Sequence, residues 1–79
     1  MQNIRIPSHF IVIQNRECIV ELKSQYHYWR LTQHNDFYIL AHKYLETDSY
    51  HKQCTGSEPQ SLIRYIIRHD KAFEHILKS

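Results

Sequence analysis

His42 and His51 fall in neighbouring stretches of the chain, with Tyr28, Tyr44 and Gln53 able to join them across a sheet. Two imidazoles within reach of one phosphodiester serve as general base and general acid, which is what a metal-independent ribonuclease requires. The same two rings supply only two of the three or four ligands that a metal ion needs, and Cys54 is expected on the opposite face. We therefore expect no metal and no cofactor. Nothing resembles a phosphate loop, a nucleophile elbow or a carboxylate pair. Catalysis, by a histidine pair, is the third choice among the functions this chain suggests.

Binding is the first. Tyr28, Arg30, Tyr38, His42, Tyr44, His51 and Gln53 are expected to share one open sheet face. Tyrosine and arginine stack on bases, and basic side chains meet phosphates, so this face suits a nucleic acid. The alternative is a protein partner or a second copy of the chain, because the same residue types dominate protein interfaces. His69 and Asp70 lie along the apolar stripe of a helix, where polar groups need partners. They either tie that helix to the sheet by hydrogen bonds, or Asp70 orients a histidine for catalysis; the tether is the commoner arrangement.

These side chains depend on a helix and a set of strands. Leu62, Ile63, Ile66, Phe73, Ile76 and Leu77 recur at three- and four-residue spacing and predict an amphipathic helix over about 58–78. Arg64, Arg68, Lys71, His75 and Lys78 fall on its other face. Ser57-Glu58-Pro59-Gln60 has the form of a capping box. Before the helix, about 9–54, the chain reads as short strands: His9–Gln14, Glu17–Ser24, His27–Gln33, Phe37–Leu45 and Tyr50–Cys54. Turns are expected at Asn15-Arg16, Gln25-Tyr26, His34–Asp36 and Glu46–Ser49.

Those turn lengths place Ile11, Ile13, Cys18, Val20, Leu22, Trp29, Leu31, Phe37, Ile39 and Ala41 on one face, under the helix. Phe10, Val12, Ile19, Glu21, Lys23, Thr32 and Leu40 join the tyrosines and histidines on the other. The predicted fold is α+β: an antiparallel meander of four to five strands with one C-terminal helix on one face.

Size and composition agree with a single small domain over 1–79. The chain has 79 residues and 42% hydrophobic content, so it is a folding sequence. The formal charge of +2, with seven neutral histidines, is too mild to identify a polyanion partner by itself. No apolar run is long enough to span a bilayer. Cys18 and Cys54 have no metal or redox spacing, and we expect a cytoplasmic protein with two free thiols.

Overall fold

The computed structural model describes Met1 and residues 4–78; Gln2, Asn3 and Ser79 lie outside it. The elements run β1 (Ile11–Asn15), β2 (Ile19–Lys23), β3 (Tyr28–Gln33), β4 (Tyr38–Lys43), β5 (His51–Gly56) and α1 (Pro59–Lys78). The strands form one antiparallel sheet in the order β1-β2-β3-β4-β5, the expected meander, and the helix packs on one face of it. No helix among the described residues is long and apolar enough to cross a membrane.

Alternation places Val20, Leu22, Trp29, Leu31 and Leu40 beneath Leu62, Ile63 and Ile66 of the helix, all buried. The hairpin joining β2 to β3 has the predicted register. Ser24 N–H donates to His27 O across a Gln25-Tyr26 turn, and Leu22 faces Trp29 while Val20 faces Leu31.

The other three registers differ from the expectation; at β4–β5 the connection is longer than the expected Glu46–Ser49 turn, and His51 faces His42 rather than Tyr44. The β1–β2 turn falls at Glu17-Cys18, closed by Arg16 N–H donating to Ile19 O, and β1 carries an irregularity between Val12 and Gln14. Ile11, Ile13 and Cys18, expected in the core, are exposed. Phe10, expected on the open face, is buried instead, after a turn in which its N–H bonds Pro7 O.

The larger departure is at β3–β4. The loop is two residues, Asn35-Asp36, not three. His34 N–H donates to Phe37 O, and the two rings stack at 4.9 Å. Leu31 therefore faces Leu40 and Trp29 faces His42. A one-residue slip turns every side chain of a strand over. Tyr38, Leu40 and His42 join the helix side; Ile39 and Ala41 join the open side, and Phe37 is exposed. The slip exchanges Ile39 and Ala41 for Leu40, flanked by Tyr38 and His42, against the core, where Leu40 is fully buried.

The helix end also differs. Gln60 does not complete a capping box. Its Oε1 accepts from Arg5 N–H at 2.9 Å and its Nε2 donates to Arg5 O at 3.0 Å, which holds the segment before β1 against the helix start. Ile4 and Ile6 of that segment pack on the core. Gly56 lies where a Cβ would stand 3.3 Å from Leu62 Cδ2, so the lack of a side chain allows the helix to come close. At the far end Ile76 and Leu77, counted on the apolar stripe, are 66% and 59% exposed.

Candidate functional site

The residues expected to share one surface are divided by the sheet. Tyr28 and Arg30 remain on the open face, opposite Lys43 and Ala41. Tyr38 is half-buried against the core, and His42 lies on the helix side. Tyr44, just past β4, packs its ring 4.5 Å from His27 and 5.7 Å from His42. His51 pairs with His42 across β4–β5, next to an irregularity between Leu40 and Ala41, and is exposed. Gln53 donates from Nε2 to Tyr65 Oη of the helix at 2.8 Å. The expected single face is thus corrected to two separate surfaces.

On the open face, Tyr50 folds back from the β4–β5 connection, a residue sequence reading had left at a strand end. The Arg30 guanidinium sits 4.3 Å from its ring centroid and Lys43 Nζ 4.5 Å. Tyr28 lies between Lys23 Nζ at 5.9 Å and Lys43 Nζ at 5.7 Å. Glu21 faces Arg30 across β2–β3, and its Oε1 accepts from Arg30 Nε at 2.9 Å. Cation–ring contacts of this kind contribute about 0.5–1 kcal/mol each when exposed. Burial, then the nearby Glu21 carboxylate, raises the Tyr50 hydroxyl above its ordinary pKa, so it stays a neutral donor. The strip carries three cations against one carboxylate.

The helix side holds an aromatic and histidine cluster that the slipped register creates. His27, outside β3 by one residue, is fully buried. Its ring centroid lies 5.0 Å from that of His69 and 5.8 Å from that of His42; His42 and His69 are 5.5 Å apart. Trp29, Tyr44 and Phe73 complete the walls.

Asp70 anchors the same place. Its Oδ1 accepts from Ser24 Oγ at 3.1 Å and its Oδ2 from Gln25 N–H at 3.0 Å. Ser24 Oγ in turn accepts from Trp29 Nε1 at 2.8 Å, which satisfies the buried indole. The expected tether of helix to sheet is therefore made by Asp70, through the β2–β3 turn. His69, named with it, makes no such bond: its Nδ1 is buried without a hydrogen-bond partner among the described residues.

That lack extends across the cluster. Both nitrogens of His27 and Nδ1 of His42 are buried and unpartnered. The approach of His27 Nδ1 to Asp70 Oδ1 at 3.8 Å is too long for a hydrogen bond. Desolvation, reinforced by neighbouring His69, lowers the His27 pKa against the opposing pull of Asp70. Desolvation and His69 lower that of His42 as well. Both rings are thus neutral at pH 7, and the 3.8 Å approach is not an ion pair. Each unsatisfied buried nitrogen costs on the order of 1–3 kcal/mol. Apolar residues of the same shape would avoid that cost, so packing alone does not account for three imidazoles here.

Donor atoms of His27, His69 and Asp70 all lie within 4.8 Å of one another. Sequence reading considered a metal at His42 and His51 and missed this group. The signal it lacked was spatial: His27 sits at a hairpin, His69 and Asp70 on a helix, and no spacing motif links them. Cys54, expected on the face opposite the histidines, pairs with Leu40 and packs on the core, on the helix side with His42; it is not a member of this group, burial raises its pKa and keeps it a thiol, and both cysteines are free. A separate cleft of about 670 Å³, lined by Met1, Asn15, Arg16, Glu17, Gln33, Tyr38 and Pro59, lies toward the other end of β4. No protein family, curated protein or solved structure matches the chain.

Proposed function

We propose that the protein is a small binding module that takes single-stranded nucleic acid on its open sheet face, without chemical change to the strand. The observation that carries this reading is the strip Lys23–Tyr28–Lys43–Tyr50–Arg30, in which two tyrosine rings alternate with three cations. Stacking surfaces and backbone-tracking charges at close intervals are what sequence-tolerant strand binding uses. Tyr38, His42, Tyr44, His51 and Gln53 are not part of the proposed surface. Two free thiols suit a cytoplasmic setting for this reading.

Self-association is the second reading, and a different observation favours it. Strand β1 is at the sheet edge with Ile11, Val12 and Ile13 exposed in succession, a pattern that invites pairing with another edge. Sedimentation of the protein alone, then titration with a mixed-sequence oligonucleotide at low and moderate salt, separates the two. Strand binding predicts an affinity that falls steeply with salt, as counterions are released. It also predicts weakening by Tyr28→Ala and by Lys43→Ala. A dimer that ignores the oligonucleotide, and that Val12→Lys breaks, overturns the nucleic-acid reading in favour of self-association.

A further inference from the structure

We propose that His27, His69 and Asp70 form a site for one divalent transition-metal ion of the zinc class, which fastens α1 to the β2–β3 hairpin. The site is independent of the open face and uses none of its residues.

The donor set selects the class of ion. Two imidazoles and one carboxylate are the ligands of zinc and its first-row neighbours. Calcium and magnesium require several oxygens, and only one carboxylate is present in this group.

Geometry supports the same conclusion. Four-coordinate zinc with bonds of 2.0–2.1 Å places its ligand atoms about 3.4 Å apart. The present limit is 4.8 Å, so side-chain rotation must close the group by about 1.4 Å at most. Three imidazoles on such an ion would have ring centroids about 5.2 Å apart. Those of His27, His69 and His42 are separated by 5.0, 5.5 and 5.8 Å. The His42 ring thus borders the group, while the donor atoms that converge are those of His27, His69 and Asp70, which leaves the fourth position open.

Asp70 is already oriented. Ser24 Oγ and Gln25 N–H hold its two oxygens, and each oxygen keeps a further lone pair. Hydrogen bonds of this kind fix ligating carboxylates in established metal sites. His27 is fully buried with both ring nitrogens unfilled, so the protein holds a donor in a place where only a ligand or a buried water can satisfy it.

The test uses the full chain made metal-free with a chelator, then titrated with Zn²⁺ and separately with Co²⁺. One ion per chain is expected, with a melting temperature raised by about 10 °C or more when zinc is a hundredfold above its Kd. His69→Ala should weaken uptake about a hundredfold or more, while His75→Ala, at an exposed position on the same helix, leaves it unchanged. Co²⁺ should give the ligand-field spectrum of a four-coordinate site and broaden the ring resonances of His27 and His69 in the wild-type protein. That broadening decides the matter if His69→Ala does not fold. No stoichiometric uptake, uptake indifferent to His69→Ala, or broadening confined to other histidines would overturn the proposal; a site filled by water gives the first of these.

Discussion

Replacing Asp70 by alanine tests the tether that holds the helix to the hairpin. The carboxylate accepts two hydrogen bonds, 3.1 Å from Ser24 Oγ and 3.0 Å from Gln25 N. Bonds to an ionised acceptor contribute about 1.5–3 kcal/mol each, which sets an upper range near 3–6 kcal/mol. Two features reduce it. Gln25 is exposed, so its freed N–H can turn to water. Ser24 Oγ also lies 3.4 Å from His27 O and can turn its proton there. The expected loss is therefore about 2–3 kcal/mol, or roughly 10–20 °C in a domain of this size. Urea unfolding followed by fluorescence is the assay, in chelator, since Trp29 is the single tryptophan and donates into the same network. Combining the change with Ser24→Ala should reveal a coupling of about 1 kcal/mol, because the two groups share a bond. A loss below about 0.5 kcal/mol, or strict additivity, refutes the tether.

Acid should destabilise the metal-free protein. His27 and His42 have folded-state pKa values below the ordinary one, through desolvation first and His69 second. Their neutral forms favour folding fully above about pH 6.5, and that contribution declines as pH falls below it toward the folded-state values. The slope is at most about 2.7 kcal/mol per pH unit for two protons. Urea midpoints across this range should fall with acid, and less steeply in His42→Gln; a flat profile contradicts neutral rings at buried His27 and half-buried His42. Leu40→Ala should cost about 2–5 kcal/mol and Ile39→Ala clearly less, since only Leu40 is fully buried. Equal losses in thermal unfolding would restore the alternative register. Gln60→Ala should lower stability by about 1 kcal/mol through its two bonds to Arg5, and Ser57→Ala by less than about 0.5. The reverse order in urea midpoints would mean that the capping box forms after all.

The pattern of residues was enough for the element order, the meander and the β2–β3 register. There the two-residue turn and the pairing of large apolar residues agreed, leaving one solution. It was also enough to single out His69 and Asp70, because polar groups on an apolar helical stripe must find partners. It was not enough for β4. The residues Tyr38, Leu40, His42 and Phe37, Ile39, Ala41 make two alternating sets, each apolar enough to face a core. Only the closing of the Asn35-Asp36 hairpin and the burial of Leu40 between sheet and helix separate them. Strand side chains have a period of two, so that one-residue choice moved His42 from an open tyrosine face to a buried histidine cluster. No local spacing records a cluster whose members come from a turn, a strand and a helix; packing the helix over the hairpin brings them together.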